Sequence, residues 1–235
     1  MSQLEFQHAV VFANGDADAQ TLARLPDTTH SLIVAVDGGL RHCLALGLTP
    51  HWLVGDLDSL PDTVPDPAPG PAQATLEKSG EPTSQLSPMT LVERFPVEKD
   101  ATDLELALLK LAQHNVTSVT LAGIDGGRLD HTLTNILLIG CRAWPYKMSV
   151  VMQGGYGVVV DGQHPFEGID IVEQTVSLIA LTPDVQGVTT DGLYYPLHDA
   201  QLRPGSTLGM SNRVNAAVCS VRVAEGRLLV LVNTL

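Results

Sequence analysis

The sequence is poor in positive charge: 13 Lys and Arg stand against 26 Asp and Glu in 235 residues, a formal net charge of −13. Such a chain repels phosphate backbones and anionic headgroups, which excludes generic binding to nucleic acid or to an anionic membrane. Cysteine is scarce as well. Cys43, Cys141 and Cys219 are odd in number, far apart and free of any CxxC pair, so they suggest neither a disulfide framework nor a zinc cluster, and a reducing compartment is expected. No uncharged apolar run reaches the roughly 18 residues of a membrane span, and residues 1–6 lack a basic region followed by an apolar stretch. The expectation is a soluble, cytoplasmic protein without a membrane partner. The usual nucleotide signatures are missing too: there is no GxxxxGK[ST], no GxGxxG after the first apolar run, and no HExxH. Any phosphate handling must use another device.

What is present is apolar content, 44% of residues with a mean hydropathy of +0.15, enough for one large or two small domains with buried cores. Residues 1–147 alternate short β-branched runs with helix-like segments, the pattern of a mainly parallel sheet flanked by helices. Strands are expected at 8–13, 31–36, 52–54 and 116–121, and helices at 17–25, 40–46, 102–114 and 129–143. Thr102 with Glu105 has capping-box spacing, and apolar residues at 104, 107, 108 and 111 mark one helical face. Between these elements, Pro61, Pro65, Pro67, Pro69 and Pro71 precede a Ser/Thr-rich stretch, which reads as an insertion at about 61–90. From 148 to 235 short strands separated by Gly, Pro, Asp and Asn predict an all-β unit, with a hairpin of 218–223 and 228–232 around Glu225-Gly226.

The chemistry lies in carboxylates placed after strands or at helix starts. Asp56 and Asp58 are two apart on extended backbone, so they point to one side about 6–7 Å apart. Asp100 and Asp103 bracket a helix start, and Asp130 opens the next helix. In a parallel sheet the loops at the carboxyl ends of the strands share one edge, where all five can meet. Taken singly, Asp103 and Asp130 read equally as helix caps, and Asp56 and Asp58 as turn residues. Together they make sense around a hard divalent cation with oxygen ligands, Mg2+ above all. Gly126-Gly127-Arg128 adds backbone N–H groups and a guanidinium suited to phosphate, or else a plain turn with a surface arginine. Asp37-Gly38-Gly39 allows either a close backbone approach to a ligand or a simple turn.

Asp37-Gly38-Gly39, Gly55-Asp56-Leu57-Asp58-Ser59, Lys99-Asp100-Ala101-Thr102-Asp103-Leu104-Glu105, Gly126-Gly127-Arg128-Leu129-Asp130-His131 through Asn135, and Ser211-Asn212 follow the order of these blocks in thiamine pyrophosphokinases. The sequence resembles a bacterial-type member of that family over nearly its whole length outside the Pro-rich insertion. The resemblance implies an α/β domain at 1–147, a β-sandwich at 148–235, and a homodimer with active sites between subunits. It also implies the reaction ATP + thiamine → thiamine diphosphate + AMP with Mg2+. By the same resemblance Asp56, Asp58, Asp100, Asp103 and Asp130 bind Mg2+ and position the nucleotide. Gly127 and Arg128 contact phosphate, joined on the ATP side by Asp37 and Gly38, while Ser211 and Asn212 belong to the thiamine side. Two alternatives stand beside it: a pyrophosphokinase for a pterin-like alcohol, and a non-catalytic thiamine or nucleotide sensor, which would not need all five aspartates.

Overall fold

The central strands of the first half are buried on both faces, which is why their sequence runs apolar instead of alternating. The computed structural model describes residues 6–56, 90–96 and 98–234. The first half comprises β1 (His8–Phe12), α1 (Ala19–Leu22), β2 (Ser31–Val36), α2 (Leu40–Ala45), β3 (Trp52–Gly55), β4 (Leu91–Arg94), α3 (Asp103–Leu111), β5 (Ser118–Ala122), α4 (Leu129–Cys141) and β6 (Lys147–Met152). A short 3-10 turn, Asp37–Gly39, precedes α2. These strands pair in parallel in the order β6-β5-β1-β2-β3-β4. Ala9 and Val11 join Val34, Val54 and Leu121 against Leu104, Leu108 and Leu111 of α3 and Ile139 of α4. Val10 and Phe12 face the other way, packing with Ile33, Ala35 and Leu53 against Leu22 of α1 and Leu40 and Cys43 of α2.

Helix α3 begins as its spacing predicts, with the Thr102 hydroxyl accepting the Glu105 N–H at 3.2 Å. Helix α1 is shorter than expected. Asp18 caps it by accepting the Thr21 N–H at 2.7 Å, its last turn tightens at Arg24 and Leu25, and Pro26 stops it. Strand β4 has no counterpart in the sequence expectation, because an edge strand reading LVER carries two charges and too little apolar pattern to announce itself. All of the expected Pro-rich insertion except Thr90 lies outside the described residues.

The second half comprises β7 (Gly155–Val160), β8 (Phe166–Ile169), β9 (Thr175–Ala180), β10 (Val185–Asp191), β11 (Ala200–Leu202), β12 (Asn212–Arg213), β13 (Val218–Arg222) and β14 (Leu228–Asn233). It is all-β, but it does not stand alone. Strand β7 pairs antiparallel with β6, and β14, β9 and β12 follow, so one ten-stranded mixed sheet runs through the molecule. The other four strands form an antiparallel sheet, β11-β10-β13-β8, facing it across a shared core of Val158, Val160, Leu178, Val188, Leu202 and Val221 among others.

The expected hairpin of 218–223 with 228–232 is not formed. Both strands exist, but β13 pairs with β10 and β8 in the small sheet while β14 pairs with β7 and β9 in the large one. Cys219 and Val221 must face Leu228, Val230 and Val232 across the core, so the chain arches from one sheet to the other. Helix α4 ties the two halves together. At its C-terminal end Arg227 donates to the carbonyls of Gly140 and Cys141 at 2.7 and 2.5 Å, filling orphan acceptors of the last turn. No described helix is long and apolar enough to cross a membrane.

Candidate active site

Strand β1 lies centrally among the parallel strands, with β2 on one side and β5 on the other. The chain moves one way from β1 through β4 and then returns to β5, so the carboxyl ends of β1 and β5 mark the switch point where open α/β sheets hold ligands. The loops there are fastened to each other beyond the strands. Ala13, Gly15 and Asp16 donate their N–H groups to the carbonyls of Ala122, Gly123 and Asp125 at 2.8, 2.7 and 2.8 Å. The Asp16 carboxylate lies over Gly126, where a Cβ would stand 2.7 Å from Oδ2 and where φ is +80°. Only glycine fits that turn.

Two more carboxylates follow the next strands. Asp37 takes φ +47° after β2, and its carboxyl packs on the Cα of Gly55, where a Cβ would lie 1.6 Å from Oδ1. Asp56 is the next residue, half-buried at the end of β3. The local chain therefore brings Asp37 and Asp56 to neighbouring strand ends, with Gly55 making room. Asp58 lies outside the described residues.

Asp103 and Asp130 each pair with a cation. Asp103, half-buried in the first turn of α3, pairs with the Lys99 ammonium at 2.8 Å, while Asp100 is exposed. Arg128 is the N-cap residue of α4 and grips Asp130 through two bonds, Nε to Oδ1 at 3.2 Å and Nη2 to Oδ2 at 2.7 Å. That guanidinium holds the Asp130 carboxyl below the usual carboxylate range. The pair is exposed, 72% for Arg128 and 63% for Asp130, so water screens it and it opens readily to a better partner. The N-cap residue Arg128 makes no side-chain cap bond, Asp130 Oδ1 accepts the His131 N–H at 3.0 Å, and nothing stands within 4 Å of where a Gly127 Cβ would be. This end of α4 presents backbone donors, positive dipole and a guanidinium to an anion.

Among the described residues no three His, Cys, Asp or Glu side chains stand close enough together to hold a metal ion. No three of the described candidates Asp56, Asp100, Asp103 and Asp130 are thus gathered at ligand distance. Carboxylate oxygens are the donors a hard divalent cation takes, and Asp37 and Asp56 bring two carboxylates to adjacent strand ends.

The edge also holds residues that the spacing argument passed over. Asp125 is 8% exposed, accepts the Gln153 N–H on Oδ2 at 3.1 Å, and has its carboxyl pushed up by burial, outweighing that bond. His42 is buried, and burial pushes its imidazole down against the bond to the Gly15 carbonyl at 2.8 Å. Asp125 sits one residue before the Gly126-Gly127-Arg128 block, so a longer reading of that turn would have included it.

Ser211 and Asn212 lie on the second half, away from the aspartate edge in sequence and sheet position. Ser211 takes φ +52° and donates its N–H to Ser177 Oγ at 3.0 Å. Asn212 is buried, and its amide accepts the Tyr195 N–H at 3.1 Å and donates to the Tyr195 carbonyl at 2.7 Å. Its side chain thereby holds an exposed pair of rings, Tyr194 and Tyr195, with centroids 4.8 Å apart. The Arg213 guanidinium lies 5.2 Å over the Tyr194 ring.

Comparison with known proteins gives the following. Residues 27–151 match the family model described as "Thiamin pyrophosphokinase, catalytic domain", and residues 165–228 match "Thiamin pyrophosphokinase, vitamin B1 binding domain". The chain is 29% identical over 217 residues to the thiamine pyrophosphokinase of Bacillus subtilis (strain 168), covering 89% of this chain and 93% of that one. The fold is similar to the crystal structure of a thiamine pyrophosphokinase from Bacillus subtilis, with a TM-score of 0.75 at 23% identity, covering 97% and 99% of the two chains. It is also similar to that of a thiamin pyrophosphokinase from Geobacillus thermodenitrificans, with a TM-score of 0.71 at 26% identity and 97% coverage of both.

Proposed function

The chain belongs to the thiamin pyrophosphokinase family, and on that premise we propose that the carboxyl edge of its parallel strands holds Mg2+ and ATP while the second half holds thiamine. The protein is an enzyme, a thiamine diphosphokinase, which moves the diphosphoryl group of ATP to the hydroxyl of thiamine and releases AMP. The observation that carries this is the match of both family models, in order, to the parallel-stranded first half and the all-β second half. The vitamin B1 model over 165–228 favours thiamine over a pterin alcohol.

Asp56, Asp58, Asp100, Asp103 and Asp130 are the proposed Mg2+ ligands and catalytic carboxylates, Asp58 on sequence alone. Bound there, Mg2+ would neutralise oxygen charge on the transferring group. Asp37 and Gly38 would serve the ATP side of the same edge. Gly127 and Arg128 offer the phosphates backbone N–H groups and a guanidinium, Arg128 exchanging Asp130 for phosphate oxygen. The thiamine hydroxyl attacks the β-phosphorus as AMP leaves, with Asp100 or Asp103 accepting its proton. Ser211 and Asn212 serve the thiamine side, Asn212 by holding the Tyr194-Tyr195 pair. The chain is thus divided into a catalytic unit at 1–147 and a thiamine-side unit at 148–235, in a cytoplasmic enzyme.

Purified protein incubated with ATP, Mg2+ and thiamine should give AMP and thiamine diphosphate in equal amounts, and EDTA should abolish turnover until Mg2+ is restored. Release of ADP instead of AMP would overturn diphosphoryl transfer, and full turnover in EDTA would overturn the metal assignment.

The same reading includes a homodimer. Leu129, Leu133 and Leu137 recur every four residues on α4 and are 71%, 55% and 55% exposed, an apolar stripe beginning beside Arg128. Covering it with a second copy would bring the partner's surface to the phosphate end of the site. Leu133→Asp should convert the dimer to a folded monomer in analytical ultracentrifugation. A monomeric wild type would remove the dimer from the proposal.

A further inference from the structure

The loop that follows β1 is held from one side by two consecutive residues of α2, and neither belongs to the set of carboxylates and glycines assigned above. Arg41 donates through Nη1 to Asn14 Oδ1 and to the Gly38 carbonyl at 3.1 Å, and through Nη2 to the carbonyls of Asn14 and Gly15 at 2.8 and 2.7 Å. All four acceptors are neutral oxygens, in a protein with twice as many acids as bases. His42 Nε2 donates to the same Gly15 carbonyl from a buried ring. That carbonyl therefore receives two donors, while the Gly15 N–H is bound to Gly123 on the β5 side. Gly15 is fastened in both directions, and the next residue, Asp16, packs over Gly126 at the start of the Gly126-Gly127-Arg128 turn.

We propose that Arg41 and His42 are positioning residues for diphosphoryl transfer: their fork of donors onto loop 13–16 sets the ATP side of the site. The inference rests on the placement of ATP given under the proposed function. The fork spans three pieces of chain, the β1 loop, the 3-10 turn carrying Asp37 and Gly38, and α2 itself. A guanidinium matches this because its planar donors reach several carbonyls in fixed directions, which a lysine ammonium on a flexible stem does not reproduce. With no carboxylate among its bonded partners, Arg41 also adds a positive charge that no bonded acid offsets, in addition to Arg128, at an edge rich in carboxylates, where an incoming polyphosphate needs it. Loosening the fork lets the loop drift by a fraction of an ångström to an ångström, enough to misplace ATP against the thiamine hydroxyl.

The test uses the full chain with Arg41→Met, Arg41→Lys, His42→Ala and His42→Gln, the last able to donate from its amide to Gly15. Arg41→Met and His42→Ala should each lower kcat/KM for ATP about tenfold or more, as positioning losses do, with the KM for thiamine changed by less than about twofold. His42→Gln should recover most of the loss, and Arg41→Lys little of it. Hydrogen exchange at the Gly15 and Asp16 amides should quicken in Arg41→Met, while the core amides of β2 and β5 keep their protection. Unchanged exchange at Gly15 and Asp16 would overturn the proposal whether or not the reaction is the one assigned, as would a rise in the KM for thiamine of about tenfold or more. A wild type that makes no AMP from ATP and thiamine would instead overturn the assigned reaction, and exchange in Arg41→Met would still decide the fork.

Discussion

Asp56→Asn should cost this enzyme about 100-fold or more in kcat, the scale of losing a group that stabilises charge in the transition state. The substitution removes one negative charge at nearly constant volume, at a half-buried position directly after β3. The strand itself is held by parallel pairing with β2 and β4, so the fold should persist. The expected signature is a large fall in AMP formation, a higher Mg2+ concentration for half-maximal rate, and an unaltered circular dichroism spectrum. Near-normal turnover would show that Asp56 holds neither metal nor nucleotide. A loss in kcat with unchanged Mg2+ dependence would leave it a catalytic carboxylate and remove it from the metal site.

Gly55→Ala should be nearly as damaging by a different route. A Cβ at this position would stand 1.6 Å from Asp37 Oδ1, and φ is +150°, so both the carboxylate and the backbone must shift. The Gly55 carbonyl accepts the Phe95 N–H at 3.0 Å, so the shift reaches the end of β4 as well. Overpacking of this kind costs about 1–3 kcal/mol, and because it displaces Asp37 and Asp56 together, activity should fall about 100-fold. Gly47→Ala separates the two effects. That position has φ +67° with nothing within 4 Å of an added Cβ, so it should cost about 1 kcal/mol of stability with activity unchanged. Denaturant midpoints and steady-state rates for the two variants give the comparison. Equal activity losses in both would show that global destabilisation, not displacement of Asp37, is what Gly55 prevents.

The elements of the first half were legible because burial on both faces leaves a direct mark in sequence. Runs such as SLIVAV and HAVVF admit few readings in a chain that also carries Thr102-capped and α4-type helical patterns. The pairing partners in the second half were not. Cys219 and Val221 alternate as a strand should, and so do Leu228, Val230 and Val232, but alternation records which face is buried and not which neighbour is bonded. A short turn between them suggested a hairpin, whereas the demand to fill one core from two sheets sends them apart. Likewise β4, with two charged residues at an exposed sheet edge, leaves almost no apolar pattern to read.

By itself the sequence determined which chemistry is available and along which edge it lies, because carboxylates and glycines placed directly after parallel strands can only emerge on one side of the sheet. It also carried the family resemblance, through the order of its Asp- and Gly-containing blocks. Tertiary structure alone decided how those residues are partnered. It set Asp103 on Lys99, Asp130 on Arg128 and Asp37 on Gly55, and it assigned Arg41 and His42 to the β1 loop. The physical reason is range. A strand's burial and a helix's cap are written in neighbouring residues, whereas a hydrogen bond from residue 41 to residue 15 exists only once the sheet has brought two distant segments side by side.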